Sequence, residues 1–314
     1  MLKRVVITGS SGYLGQGLIA HLRNESPELE TIGLDIVPCS SEHIAPDYFH
    51  QADIRDRSIG SAIVRMQPDA IIHLAFLLNP SRSDYRARQV NLGGFRHVLQ
   101  AVARLPKSKL MVCSSATVYG ASATQEVPYT ESTRLHSASR LRYAADKVQV
   151  ERMAAEFQSS FPGNIVNVVR PTLLAGPGAS SFYLRYLFNM PFLILIDGND
   201  LPIQLVHIDD ACRAMIAIMK FDQPGPYNIA PADSIRLSQI AEKMNKQTKS
   251  FPYALVYALT MLTWYSRLKM FESPPEVLPF NRYPWLIDSS KLAQDCDFAF
   301  EFSSAATFAA SLPE

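Results

Sequence analysis

Apolar and polar positions along this chain fall into blocks of two lengths. Short runs rich in Val, Ile and Leu at residues 5–8, 31–34, 70–74, 109–114 and 164–169 read as buried strands. Between them lie longer segments whose apolar residues recur every three or four positions. These predict helices over 15–24, 59–66, 84–105 and 140–157. Strand and helix in regular alternation call for a parallel sheet covered by helices on both faces, the Rossmann-type doubly wound α/β class.

The pattern changes after Pro171. Gly176-Pro177-Gly178 breaks the chain, and irregular aromatic-rich stretches follow. A helix is predicted over 207–220, a strand over 227–229 after the turn Pro224-Gly225-Pro226, and a helix over 238–245. Ser273-Pro274-Pro275 is a further break. The expected organisation is a first domain over 1–170, with returns to its sheet near 200–225 and 285–295. Residues 171–314 then form a smaller, interleaved C-terminal region facing the substrate.

Composition narrows the class. The chain has 314 residues, of which 47% are hydrophobic and 19% charged, enough for a sizeable core. A net charge of +1 without a Lys/Arg run speaks against nucleic acid as a main partner. Cys39, Cys113, Cys212 and Cys296 are far apart, so no metal or disulfide framework is expected. With the first strand starting almost at Met1 and no secretory leader, a cytoplasmic location is expected. Two apolar stretches, 183–196 and 251–265, are shorter than the ~18 residues of a membrane span. They read as buried or lid helices, with a membrane surface disfavoured.

The chemistry begins at the first strand end. Gly9, Gly12 and Gly15 are spaced G-x-x-G-x-x-G between that strand and the next helix. Such a turn lets backbone approach a pyrophosphate, and the helix start offers N–H donors and a partial positive charge. Asp35, twenty residues beyond Gly15, closes the second strand, where a carboxylate can accept hydrogen bonds from a ribose 2′-hydroxyl. It would repel a 2′-phosphate, and Ile36-Val37-Pro38 supplies no arginine, so NAD is favoured over NADP. Asp53 is placed to meet an adenine amino group and Ile54 to pack on the ring.

These motifs occur in an order that resembles the extended short-chain dehydrogenase/reductase family, the NAD-dependent epimerase/dehydratase group. The matching residues are Thr8-Gly9-x-x-Gly12-x-x-Gly15, Asp35, Asp53, His73-Leu74-Ala75 and Asn91-x-x-Gly94. They continue through Ser114-Ser115-x-x-Val118-Tyr119-Gly120, Tyr143-x-x-x-Lys147, Arg170-Pro171 with Gly176-Pro177, and Val206-His207-x-Asp209-Asp210. The resemblance implies that residues 1–170 form the NAD-binding domain. It implies cofactor contacts from Tyr13, Leu14, Leu74, Ala75, Phe76, Asn91 and Arg170, and from Tyr143 and Lys147.

Tyr143 and Lys147 are one helical turn apart and share a face. A nearby ammonium is expected to lower the phenol pKa, so that Tyr143 can exchange a proton with a substrate oxygen. Ser115, just past an apolar strand, is the candidate for orienting that oxygen, with Thr117 as a second hydroxyl. His73 is expected to satisfy backbone groups and His207 to brace a turn, with Asp209 and Asp210 capping the following helix.

Two departures from the family pattern bear on the substrate. Leu173 stands where nucleotide-sugar members often carry asparagine, and Ile203 where many carry a diphosphate-gripping arginine. Arg185 or Arg282 could substitute. Phe76-Leu77-Leu78, Phe182-Tyr183, Phe188, Phe192, Trp264 and Tyr265 suggest an apolar wall suited to a steroid-like, terpenoid or aromatic alcohol. The expected function is an NAD-dependent oxidoreductase acting on a small-molecule secondary alcohol or ketone, with Tyr143 as acid/base. A nucleotide-sugar 4-epimerase or dehydratase and a non-catalytic NAD-binding regulator are the alternatives. A homodimer through helices 84–105 and 140–157 is compatible with the pattern.

Overall fold

The computed structural model describes residues 2–39, 44–77, 84–124, 126–136, 140–266 and 274–312. Seven strands form one sheet. They are β1 (Arg4–Thr8), β2 (Glu30–Asp35), β3 (Tyr48–Gln51), β4 (Ala70–His73), β5 (Lys109–Cys113), β6 (Ile165–Pro171) and, from the second half of the chain, Gly225–Ile229. Between β6 and that last strand run β7 (Leu173–Ala175), β8 (Phe192–Ile196), β9 (Pro202–Ile203) and β10 (Leu205–His207), which makes Gly225–Ile229 β11. The sheet order is β11-β6-β5-β4-β1-β2-β3. Every neighbouring pair in it is parallel. The order reverses direction beside β1, between β4 and β2, and ligands of open α/β sheets gather beyond the strand C-termini at such a point.

The sheet is apolar on both faces because helices cover both. On one side α1 (Tyr13–Glu25) packs through Leu18, Ile19 and Leu22. On the other, α2 (Ile59–Met66) packs through Ile59 and Ile63. The helix predicted over 84–105 runs unbroken from Asp84 to Val102, with α3 (Asp84–Arg88) and α4 (Phe95–Val102) joined by a π-helical stretch, Gln89–Gly94. The wide turn accommodates Gly94, where a Cβ would lie 2.7 Å from Ile54 Cγ1, and it turns Asn91 inward. α5 (Arg142–Ser160) follows β5 and a single 3₁₀ turn, Ala116–Tyr119.

After β6 the elements are shorter. The apolar stretch 183–196 resolves into α6 (Phe182–Asn189) followed by strand β8, not one helix. α7 (Ile208–Lys220) packs its buried face onto α1 and the sheet. Strand β12 (Ile235–Arg236) pairs with β9, and α8 (Leu237–Lys243) leads to β13 (Gln247–Phe251), which pairs with β8. A second core of Leu184, Leu187, Leu193, Ile203 and Ile240 holds these pieces together. α9 (Tyr253–Tyr265) and a 3₁₀ turn, Pro275–Asn281, complete this part of the cleft surround. Leu78 and Ser273 lie outside the described residues, as does the Phe182 side chain.

Candidate active site

A cleft of about 600 Å³ opens along the C-terminal edge of the sheet, within the usual size range of small-molecule sites. Its floor is the glycine turn. Gly9 has φ +75°, and a Cβ there would fall 2.7 Å from the Ala75 backbone nitrogen. At Gly15 a Cβ would meet the Gly9 carbonyl oxygen at 2.4 Å. These two glycines are therefore required for packing β1, β4 and α1 closely. Gly12 is the N-cap of α1 and makes no side-chain cap, so the N–H groups of that first turn face the cleft without a competing side chain.

Gly9, Gly12, Tyr13, Leu14, Gly15, Asp35, Asp53, Ile54, Leu74, Ala75 and Phe76 all line this cleft, as do Ser115, Tyr143 and Lys147. The Asp35 carboxylate accepts from the backbone N–H of Ser11 at 3.0 Å and of Ile36 at 2.7 Å. Asp53 is held below the usual carboxylate range mainly by its hydrogen bond with Arg55. That arginine was not singled out by the sequence, and neither was Arg86 on the same wall. The i, i+2 spacing of Asp53 and Arg55 was the available signal.

Asn91 and Arg170 stand behind the wall, not on it. Asn91 accepts from the Leu77 backbone N–H at 2.9 Å and donates to Asp146 at 3.1 Å, which fixes the strand exit carrying Phe76. Arg170 is 4% exposed and is taken up by Glu151, with Nη2 to Oε2 at 2.5 Å, and by the Tyr119 hydroxyl at 2.7 Å. Its pKa is raised by these partners against the effect of burial. Arg170, expected at the cofactor, is thus engaged in an internal ion pair. Glu151 also accepts from the Ser114 hydroxyl at 2.5 Å. It lies one turn beyond Lys147, so Tyr143, Lys147 and Glu151 form a single stripe on α5, a spacing visible in the sequence but not read there.

Ser115 accepts from the Thr117 N–H at 3.2 Å and from its hydroxyl at 3.0 Å. Neither bond uses the Ser115 hydrogen, and Ser115 lines the cleft together with Tyr143. Burial pushes the Tyr143 phenol above its ordinary value, and the Ser115 contact offsets this only in part. The expectation of a lysine-lowered phenol is corrected here: burial dominates, and the group that lowers the phenol is Ser115, not Lys147. Burial also pushes Lys147 down to about 8, against the pull of Cys113, Glu151 and Asp146. Lys147 Nζ donates to the Cys113 carbonyl oxygen at 2.5 Å and lies 3.6 Å from the centre of the Phe76 ring. Phe76 in turn meets Tyr143 edge to face at 5.6 Å.

The far wall comes from the second half of the chain. Leu173, Leu174, Tyr183, Val277, Phe280 and Trp285 contribute apolar surface, and Arg185 contributes a guanidinium that donates to the Ser180 carbonyl oxygen at 2.7 Å. Ile203 is buried in the second core and Arg282 pairs with Asp197 at 2.8 Å, under the ring of Tyr253. His73 bonds the Thr8 hydroxyl at 2.8 Å, not backbone, and burial pushes it down to about 3, so it is neutral. His207 caps α7 by accepting from the Asp209 N–H at 3.3 Å, a role expected of the aspartates. Asp210 instead pairs with Arg213 and holds the backbone N–H groups of Glu301 and Phe302.

The sheet order, the glycine turn and the carboxylate at the end of β2 define a Rossmann-type α/β protein. The chain belongs to the NAD dependent epimerase/dehydratase family, whose model matches residues 5–230. An uncharacterized protein of Mycobacterium tuberculosis is 26% identical over 266 residues, covering 83% of this chain and 70% of that protein. A UDP-glucose 4-epimerase of Neisseria meningitidis serogroup B is 29% identical over 254 residues, covering 77% and 71%. Among solved structures, a UDP-glucose 4-epimerase of Stenotrophomonas maltophila with bound NAD and formylated UDP-arabinopyranose superposes with a TM-score of 0.77. That match covers 98% of this chain and 96% of the other at 16% identity, a likeness of fold.

Proposed function

We propose that the protein is an NAD-dependent oxidoreductase that transfers hydride at a secondary alcohol or ketone, with Tyr143 as acid/base. The observation that carries this is the convergence of Ser115, Tyr143 and Lys147 on the one cleft, with Lys147 one turn from Tyr143 along α5. The residues fit the cofactor. Gly12 and the uncapped start of α1 would receive the pyrophosphate, and Asp35 the adenosine ribose. On this reading 1–170 is mainly the cofactor domain and 171–314 mainly the substrate region.

NAD supplies the hydride acceptor or donor. Ser115 holds the substrate oxygen against the Tyr143 hydroxyl. Because its phenol is held above the ordinary value, Tyr143 carries its proton at neutral pH and is set to donate it to a carbonyl oxygen. In the alcohol direction Tyr143 must first release its own proton to solvent; its phenolate, stabilised by the Lys147 ammonium, then takes the substrate hydroxyl's proton as the hydride leaves for the nicotinamide. Leu173, Val277 and Phe280 on the opposing wall favour an apolar substrate.

A nucleotide-sugar 4-epimerase is the second reading. Arg185 on the cleft wall and the epimerase relatives favour it. The test is a ligand screen run with NAD, offering hydrophobic secondary alcohols and UDP-sugars in parallel. Net NADH from an alcohol, lost in Tyr143→Phe, supports the oxidoreductase. An isomerised UDP-sugar without net NADH supports the epimerase. Full turnover by Tyr143→Phe on either substrate rules out the proton role.

A further inference from the structure

Phe76 stands between the exit of β4 and the reactive face of α5. Lys147 Nζ lies over the face of its ring, 3.6 Å from the centre. The Tyr143 ring meets the same ring at a right angle, with centroids 5.6 Å apart. Tyr143 offers its own ring to the ammonium only from 5.8 Å. A single half-buried side chain, on a different element, thus contacts both members of the Tyr143–Lys147 pair. Its place is fixed by backbone on either side. The Ala75 N–H donates to Thr8 Oγ1 at 3.4 Å, and the Leu77 N–H donates to Asn91 Oδ1 at 2.9 Å. Asn91 also donates to Asp146, the residue before Lys147 on α5, at 3.1 Å. The segment carrying Phe76 is therefore clipped to β1 at one end and to the helix bearing Lys147 at the other.

An aromatic face carries the negative side of the ring quadrupole and attracts a cation, more strongly where both are withdrawn from water. Burial works against the Lys147 ammonium. The other groups around it are the Cys113 thiol and carbonyl from the end of β5, Tyr143, Asp146 and Glu151 from α5 itself, and His73 from β4. Of these, His73 is neutral, Glu151 is taken up by Arg170, and Asp146 receives Asn91. An aliphatic side chain of similar bulk would fill the space of Phe76 without attracting the ammonium, so the contact depends on the ring and not on packing alone.

We propose that Phe76 is a positioning residue for the reaction, its ring face holding the Lys147 ammonium and its right-angled contact setting the Tyr143 ring one turn away. This role rests on the oxidoreductase reading of the cleft. The contact between ring and ammonium is a property of the chain by itself and can be measured without substrate.

The test is a pH titration of the Lys147 side chain in the full chain, by NMR of protein labelled at its lysine side-chain nitrogens, with the signal assigned by its absence in Lys147→Arg. Phe76→Leu should titrate about one pH unit lower than wild type, the worth of a desolvated cation–π contact. Phe76→Tyr, which keeps the ring face, should titrate as wild type. A ring-fluorinated phenylalanine built in at position 76 keeps the shape but weakens the face. It should give an intermediate value, and it serves if Phe76→Leu fails to fold. A titration unmoved in the fluorinated protein overturns the proposal, whatever Phe76→Leu does. On the substrate that the ligand screen identifies, Phe76→Leu should lose about tenfold in kcat in the alcohol direction at about pH 9, with KM changed less, and Phe76→Tyr should recover it. A moved titration with an unmoved pH profile overturns the positioning role. Full turnover by Tyr143→Phe removes the oxidoreductase reading and the reactive role of Phe76 with it, while the titration still decides the ring contact by itself.

Discussion

Lys147 donates its ammonium to the backbone carbonyl of Cys113 across 2.5 Å, tying α5 to the end of β5. The group is buried and its pKa is pushed down to about 8, from an ordinary 10.5. Turnover in the alcohol direction needs the ammonium beside the phenolate. It is expected to fall as pH rises through about 8, in a pH profile of kcat. Stability should move the other way. The unfolded chain binds more protons at this lysine between about pH 8 and 10.5, so this group's contribution rises across that window and is lost as pH falls through 8. Thermal melts of wild type and Lys147→Met between pH 7 and 10 would show it as a slope present only in wild type.

Glu151 and Arg170 are each 5% exposed at the side chain and hold one another between α5 and β6. Removing one partner leaves a buried charge uncompensated, so Glu151→Gln should cost about 3–5 kcal/mol in urea unfolding. Replacing both with apolar residues of similar volume should recover much of that loss. A small effect of Glu151→Gln would show that water reaches the pair.

Two glycines should respond in opposite ways. A methyl at Gly15 would press on the Gly9 carbonyl at 2.4 Å, backbone against backbone, so Gly15→Ala should lose about 1–3 kcal/mol and weaken NAD binding. Gly93 has no atom within 4 Å of its would-be Cβ, and Gly93→Ala should be neutral or stabilise by up to ~1 kcal/mol. Denaturation midpoints of the two variants, measured side by side, check both.

Asp35 is expected to set the choice of dinucleotide. Asp35→Ala should weaken NAD by roughly 10–100-fold, the worth of a charged hydrogen bond, while NADP changes little or improves. Calorimetric titration with both dinucleotides reads the ratio directly. A wild-type preference for NADP would refute the role.

Strands β1, β2, β4, β5 and β6 were legible because they are short apolar runs buried on both faces, whereas β3, a partly exposed edge strand of Tyr48-Phe49-His50-Gln51, carries no such run. Helix 84–105 was legible as a helix, but its π-helical stretch Gln89–Gly94 was not, because a wide turn leaves the helical period roughly intact. Beyond Pro171 the strands are two to five residues long, too short for alternation to stand out from the aromatic background. In the site, Tyr143 and Lys147 were singled out by their spacing and Ser115 by its place past an apolar strand and by the family resemblance, and all three line the cleft. The fate of Arg170 was not, because its partner Glu151 is nineteen residues earlier and joins it only through packing.

The cleft draws its two sides from different stretches of chain. The glycine turn, Asp35, Ser115, Tyr143 and Lys147 all precede residue 150, whereas Leu173, Tyr183, Val277, Phe280 and Trp285 all follow residue 170. The later wall meets the earlier side by packing, Phe280 and Trp285 against Leu141 and Tyr143, and by the Tyr13 hydroxyl on the Pro177 carbonyl, and not through shared backbone. On the proposed function, side chains of the late segments can be changed to suit another guest while the glycine turn and Asp35, on separate stretches of backbone, keep their geometry.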